Sequence, residues 1–406
     1  MSPTRRKAVL IVAAALGAAT FAAPSADGQG AAARQGRGGS EPPGTVALEP
    51  VTALDGPRGL DVQGRRVLVT EADGSFSIVK LRGGDVSVTR LGSVPGGFAP
   101  AAVFGRRGTV WVLTGKGEGP GMATLYRWRR GWSEPRAVAD LAAYQQAHPD
   151  PDDLEGEPGD SNPFGLAALD DGSVLVADAG GNELLRVWKS GYVRSVARIR
   201  PRTVAVPEGL PATAPDGSPL PPAGTMLPSE GVATSVVVGR DGDYYLSELR
   251  GFPGTPGTAQ VWRIDHDARG AVCDPADPYG QDDQDARGDD DGDGRGDCRR
   301  AADGLTSVVD LAVDGRDLYA ATLSDRSWLA VELGLPGAEQ GSIHRITRRH
   351  GRTRVEVVAD DGVVLPGGVE VDDDVLWETG PVFGPGQLNR AGLDEDDGGH
   401  GGHGGR

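Results

Sequence analysis

The chain has 406 residues, 38% of them hydrophobic and 5% aromatic, and a formal net charge of −17 at neutral pH. That charge argues against nucleic acid and anionic membrane surfaces as partners, because both would be repelled. Two cysteines and six histidines leave little material for thiol or zinc chemistry.

Residues 1–26 carry Arg5, Arg6 and Lys7, then an apolar run over 8–19, then small residues up to a cleavage point expected between Ala22 and Asp27. This is the pattern of a secretory signal, too short and wrongly flanked for a spanning helix. No cysteine lies near the cleavage region, so no lipid or other membrane anchor is expected and the protein should be exported. Residues 27–44, rich in Gly, Ala, Arg and Pro, read as a flexible leader.

The first regular stretch, TVALEPV at 45–51, alternates like a strand. From there a unit of strands and tight turns recurs. Its clearest copy is NPFGLAALDDGSVLVADAGGNELLRV at 162–187, where apolar runs over 164–169 and 174–177 flank an Asp-Asp-Gly turn and a third strand covers 184–187. Further copies cover 57–72, 100–115, 233–249, 307–323 and 366–380. With Leu60, Val103, Leu166, Val236, Leu311 and Val369 taken as equivalent, the spacings are 43, 63, 70, 75 and 58 residues. One such sheet cannot bury both faces alone, so six copies predict an all-β, six-bladed propeller over 45–392. The last copy offers only three strands, and 45–51 is expected to supply its fourth and close the ring.

The turns between first and second strands are short in every copy. Five long insertions interrupt the rest, at 139–161, 199–231, 250–259, 266–306 and 324–341. Read as blade-to-blade or second-to-third-strand connections, all five would crowd one rim, the expected binding face. Before the aligned aliphatic residue the copies carry Gly59, Ala102, Gly165, Ser235, Asp310 and Gly368, so Asp310 interrupts a column of small residues nearest the channel. At the ends of second strands stand Glu71, Asp178 and Glu248, with Asn162 and Asn182 nearby. Asn162, Asp178, Asn182, Glu248 and Asp310 are thus candidate ligand-binding residues at the channel mouth. Asp310, Glu71 and Asp178 are the catalytic candidates should there be a reaction. Carboxylates and amide oxygens without His or Cys suit a hard cation.

The export signal, NPFGLAAL, the 175–182 stretch, DGDYYLSELRGFP at 241–253 and VWRID at 261–265 together resemble the ScyD/ScyE family of exported bacterial propellers, related to NHL and gluconolactonase-like folds. The resemblance covers about 45–390 and is strongest over the third and fourth copies. It implies a six-bladed fold but no settled reaction. The wider superfamily includes calcium-dependent lactonases whose metal is held by Glu, Asn and Asp near the channel mouth. The expected function is therefore an exported module that binds a small molecule or an extracellular protein, as a monomer; the alternative is a calcium-dependent lactonase or related hydrolase.

The insertion at 266–306 carries a second signal. Between Cys273 and Cys298 there are ten Asp against two Arg. Asp289, Asp291 and Asp293 fall at positions one, three and five of an EF-hand-like loop. Gly294 falls at six, Arg295 at seven (a main-chain carbonyl position) and Asp297 at nine. The twelfth position is Arg300, so a helix-flanked EF-hand is excluded, and the pattern resembles thrombospondin type-3 and dockerin loops completed by other acids such as Asp282, Asp283 and Asp285. A structural Ca²⁺ is expected there, with a possible second cation at the channel mouth. The two cysteines that bracket the loop are expected to form a disulfide. No G-x-S-x-G, H-E-x-x-H or P-loop occurs. The tail at 393–406, DEDD followed by Gly and His, has nothing to bury and is expected to be disordered.

Overall fold

The structure, a computed structural model, describes residues 45–277, 298–349 and 352–393. The expected signal, the leader, the tail from 394 on and residues 278–297 of the acidic loop, including Asp282, Asp283, Asp285, Asp289, Asp291, Asp293, Arg295 and Asp297, lie outside the described residues.

Six sheets, each built on four antiparallel strands and one of them extended by a fifth, parallel strand, follow one another around a central channel. Blade one is β2 (Leu60–Gln63), β3 (Arg66–Thr70), β4 (Ser75–Arg82) and β5 (Asp85–Ser93). Blade two is β6 (Ala101–Phe104), β7 (Thr109–Leu113), β8 (Thr124–Arg129) and β9 (Arg136–Asp140), followed by helix α1 (Leu141–Ala147). Blade three is β10 (Pro163–Ala168), β11 (Val174–Asp178), β12 (Glu183–Val187) and β13 (Val193–Ile199). A hairpin of β14 (Arg202–Ala205) and β15 (Met226–Ser229) leads to blade four: β16 (Ala233–Val238), β17 (Tyr244–Glu248), β18 (Ala259–Ile264) and, after the short β19 (Ala271–Cys273), β20 (Cys298–Leu305). Blade five is β21 (Val308–Asp314), β22 (Asp317–Thr322), β23 (Ser342–Arg349) and β24 (Arg352–Ala359), with helix α2 (Trp328–Glu332) between its second and third strands. Blade six is β25 (Gly368–Asp372), β26 (Val375–Gly380) and β27 (Pro385–Gly392).

The ring closes through β1 (Glu49–Asp55), which pairs antiparallel with β27 from Glu49 opposite Arg390 to Asp55 opposite Pro385. The closing strand begins four residues later than the alternation at 45–51 suggests. Residues 45–48 instead run past blade five, where the Val46 amide donates to the Val358 carbonyl at 2.7 Å and Val46 and Leu48 pack on its core. Alternation marks a strand-like segment, but where pairing starts depends on the partner strand.

Local chemistry builds each blade. In blade three, Gly172 has φ +82°, a left-handed turn position favouring glycine, and the Asp171 carboxylate accepts from the Ser173 amide at 2.9 Å. The strands on either side are aliphatic and buried on both faces, because each sheet is sandwiched between two neighbours. The core is accordingly divided into wedges. Trp111, Leu113, Leu166 and Val174 fill the gap between blades two and three; Leu184, Val196, Leu246 and Trp262 fill that between three and four. Each such side chain taken fully from water contributes about 1.5–3 kcal/mol.

Four of the five insertions lie on the rim where first strands begin. The fifth does not. Blade four reaches blade five through Thr306 and Ser307 alone, and the acidic excursion joins β18 to β20, the third strand to the fourth. It therefore leaves from the opposite rim, the one carrying the tight turns. β19 within it adds a parallel strand to the outer edge of blade three, Ala197 opposite Ala271 and Ile199 opposite Cys273. Cys273 and Cys298 are joined by a disulfide with Cα atoms 5.1 Å apart.

Candidate functional site

The first strands β2, β6, β10, β16, β21 and β25 contact one another in sequence and form the channel wall. Close approach at this ring dictates its small residues. A Cβ on Gly165 would lie 2.4 Å from the Thr234 carbonyl oxygen, and one on Gly368 would lie 2.4 Å from that of Arg58. At the seams flanking blade five, side chains take over from backbone contact. Ser235 Oγ donates to Asp310 Oδ1 at 2.7 Å, and the Val369 amide donates to Oδ2 at 2.9 Å. Asp310 therefore ties blades four, five and six together at the channel.

Facing it is a residue that carries no motif. Arg58, 5% exposed, projects from the segment before β2. Its guanidinium lies 3.7 Å from the centre of the Phe164 ring and 5.3 Å from that of Phe98. It donates to the Ala99 carbonyl at 3.2 Å and to that of Phe164. Burial lowers its pKa to about 10, against the pull of Asp310. Burial in turn raises Asp310 to about 6, opposed by its hydrogen bonds to Val369, Ser235 and Leu311 and by Arg58. Arg58, Phe164, Val309, Asp310 and the ring glycines line a half-open pocket of about 40 Å³, room for two or three waters. The cationic group set against Asp310 is thus the chain's own guanidinium.

Deeper in the channel Asp61 and Glu370 are half-buried on the first strands of blades one and six. The Phe104 amide donates to Asp61. Burial pushes Asp61 up to about 7, opposed by the Phe104 and Val62 amides and reinforced by Asp310 and Asp372. Glu370 is held well above the ordinary carboxylate range, by burial first and by Asp61 next.

The other sequence candidates do not converge on this mouth. Glu71, Asp178 and Glu248 sit at second-strand ends, one strand, or roughly 4.8 Å, outboard of the channel wall, Asn162 precedes β10 and Asn182 precedes β12, and all five hold loops. Asp178 is fully buried and accepts from Ser161 Oγ at 2.6 Å and from the amides of Asn162, Gly180 and Gly181 at 2.7, 3.0 and 3.3 Å. Burial raises its pKa against those bonds. Asn162 Oδ1 accepts from the Lys116 amide at 2.9 Å. Asn182, at φ +51°, donates to Asp150 and accepts from the Val232 amide, both at 2.9 Å, tying blade three to blade four. Glu248, fully buried, is paired with Arg250 and accepts from Trp262 Nε1; burial raises it to about 6, opposed first by Arg250. Glu71 accepts from the Asp55 amide at 3.0 Å and so anchors the closing strand.

Those contacts knit the insertion rim into one surface. Arg250 also donates to the Ser229 and Glu230 carbonyls at 3.2 Å, and its own carbonyl accepts from Trp328 Nε1 at 2.7 Å. Glu230 accepts from the Leu154 amide at 2.6 Å. The surface over blades three and four is acidic. Glu155 is raised to about 7 by burial and then by Glu230, Asp160 and Asp153; Glu230 is raised to about 6, by burial first, with Asp150 and Asp153 adding. The missed residues left some trace: Arg58 and Phe164 directly precede the small-residue column, and Asp61 and Glu370 directly follow the aligned aliphatic position.

No family model matches the chain, and no curated protein matches it in sequence. Solved structures do. Virginiamycin B lyase from Staphylococcus aureus aligns at 14% identity over 86% of this chain and 100% of its own, with a TM-score of 0.43. A candidate gluconolactonase aligns at 13% identity over 87% of this chain and 96% of its own, TM-score 0.45. A Bacteroides thetaiotaomicron protein of unknown function aligns at 10% identity over 86% of this chain and 72% of its own, TM-score 0.47. At such identities the likeness is one of architecture, and nothing about this chain's chemistry follows from it.

Proposed function

We propose that this protein is an exported, ScyD/ScyE-like binding propeller that engages a small molecule or extracellular partner on its insertion-bearing rim. The observation that carries the reading is the pairing of a stoppered channel with a pre-organised rim. Arg58 fills the mouth, whereas the loops at 139–161, 199–231, 250–259 and 324–341 are held together by buried side chains. A surface ordered in advance loses little entropy on binding. The carboxylates Asp150, Asp153, Glu155 and Glu230, mutually repelling and partly desolvated, favour a ligand or partner group that is cationic. Export is supported by the N-terminal signal pattern and fits a chain whose two cysteines are joined. A structural Ca²⁺ in the acidic loop is part of the same reading, resting on the spacing of Asp289, Asp291, Asp293 and Asp297.

A thermal-shift screen of metabolites, polyamines included, with and without Ca²⁺ tests this. Cationic compounds should raise the melting temperature, and Glu155→Gln with Glu230→Gln should remove that response. A response unchanged in the double variant would move the binding surface elsewhere. The lactonase alternative draws less support, because Asp310 already has two hydrogen bonds and a guanidinium facing it. Calcium-dependent hydrolysis of simple lactones, lost in Asp310→Asn, would revive it.

A further inference from the structure

Blade two breaks a rule that three other blades keep. In blades three, four and five the third strand carries an arginine, Arg186, Arg263 or Arg345, opposite Leu175, Tyr245 and Tyr319 of the second strand. Each pairs with an aspartate lying four or two residues before that second-strand residue. Arg186 meets Asp171 at 2.8 Å, Arg263 meets Asp241 at 3.0 Å and Asp243 at 2.6 Å, and Arg345 meets Asp317 at 2.5 Å. The counterpart in blade two is Arg127, opposite Trp111. There the two acid positions are taken by Arg107 and Thr109. Among the described residues Arg127 has no ion pair, and its Nε is buried without a hydrogen-bond partner.

More positive charge surrounds the unfilled place. Arg136 stands directly opposite Arg127 on β9, and Arg129 follows on the same face of β8. Like charges facing each other across a ladder are destabilising. Burial lowers the pKa of Arg127, and Arg129 and Arg136 lower it further. Trp132 folds back between two of them, its ring centre 5.4 Å from the Arg127 guanidinium and 4.2 Å from that of Arg136. Glu134 is the one acid of the β8–β9 turn, against this group of arginines. A chain of net charge −17 therefore concentrates cations at a blade whose third-strand arginine has lost the carboxylate that its counterparts pair with.

We propose that this end of blade two is a docking site for an acidic peptide segment. A partner Asp or Glu carboxylate would take, against Arg127, the place that Asp171 and Asp241 occupy in blades three and four. The planar fork of a guanidinium matches a carboxylate, and the equivalent groups in the neighbouring blades are aspartate side chains, which favours a peptide over a sulfated glycan. The site lies on the turn-bearing rim and is independent of the insertion-rim reading.

The test uses the full chain, a fluorescent oligoglutamate peptide and, as a second probe, a heparin oligosaccharide of similar charge. The peptide should bind saturably at about 0.05 M salt and weaken about tenfold or more by 0.3 M, as screening of exposed charges requires. Arg127→Ala and Arg136→Ala should each weaken it about tenfold. Arg107→Asp is the decisive variant, since it restores the acid of the other blades, and aspartate tolerates the φ of +56° found there. It should abolish peptide binding while raising the melting temperature by a few degrees. Should any of these fail to fold, the exposed Arg129→Glu replaces it and should weaken binding likewise. Undiminished binding in Arg107→Asp, or heparin binding with none to oligoglutamate, overturns the proposal.

Discussion

Arg58 of blade one places its guanidinium 3.7 Å from the ring centre of Phe164, which belongs to blade three. Nothing local to blade one requires this reach. The contact crosses the ring mouth beside Asp310 and makes the stopper part of what holds the inner strands in register.

Removing it should therefore cost stability. Arg58→Ala would leave Asp310 without its cation in a low-dielectric mouth. Losing the buried guanidinium's carbonyl hydrogen bonds, its ring contacts and its attraction to Asp310 should cost about 2–3 kcal/mol. Asp310→Asn added to Arg58→Ala should recover part of that loss, since no unpaired charge remains. Denaturant unfolding of the two single variants and the double variant measures the coupling. Strictly additive losses would show that Arg58 acts through its packing on Phe98 and Phe164 alone.

Ring closure makes a second expectation. Deleting residues through Asp55 removes β1, its ladder to β27 and the Asp55 bond to Glu71. That loss should cost well over about 5 kcal/mol, a large fraction of a domain's stability, and the truncated chain should melt far earlier or fail to fold. Deleting 394–406 should leave the melting temperature within about a degree. Equal melting temperatures for the two truncations would contradict the closure role.

How far the sequence goes is shown by which residues it exposes. The six blades are legible because turn glycines such as Gly172 and flanking β-branched runs act locally, and a local signal repeated six times is hard to miss. The column Gly59, Gly165 and Gly368 is legible too, although its cause, backbone approach across a seam, is visible only in three dimensions. Asp178 and Glu248 illustrate the opposite case. An acid at a strand end reads as a ligand, yet one strand's displacement from the channel turns it into a loop anchor. Arg58 shows in the sequence only as the residue before Gly59; its role could not be read there, because its carbonyl and ring partners in blade three lie 106 residues away. The position of the acidic insertion depended on assigning 298–305 as a fourth strand, and the run CRRAADGL lacks the alternation that would have said so.

The disulfide yields a third prediction. Closing a loop with a separation of 25 residues contributes about 3.5 kcal/mol in the chain-entropy treatment. It also ties β19, which lies on the edge of blade three, to β20 of blade four, beside the ion pair of Asp274 with Arg200 at 2.6 Å. Cys273→Ser with Cys298→Ser should lower stability by about 2–4 kcal/mol. If the loop holds Ca²⁺, chelator should lower the melting temperature of the wild-type chain and have less effect on the double variant. A wild-type melt indifferent to both Ca²⁺ and chelator would leave the loop with its disulfide alone.

The last prediction concerns pH and the pair Asp61 and Glu370. Both carboxylates have folded-state pKa values above their unfolded ones, Asp61 at about 7 and Glu370 well above its ordinary range, and the charged groups acting on them include Asp310 and Asp372. Between the unfolded value near pH 4 and the folded value near pH 7, the native state holds more protons than the unfolded state. Stability from these groups is therefore fully present at low pH and is lost as pH rises through that window. Other buried acids add in the same direction, Glu183 and Glu378 each being raised to about 8 by burial. The wild-type chain should accordingly be more stable near pH 5 than near pH 8. Glu370→Gln removes one of the paired charges while keeping its shape, and should add on the order of 1–2 kcal/mol at pH 8 and close to nothing at pH 5. Asp61→Asn should do the same less completely, because the Phe104 amide loses a charged acceptor. Unfolding curves of wild type and the two variants across this range give the difference directly. A gain that is the same at pH 5 and pH 8 would mean that the channel acids repel by shape and solvation alone, and that no proton is held between them.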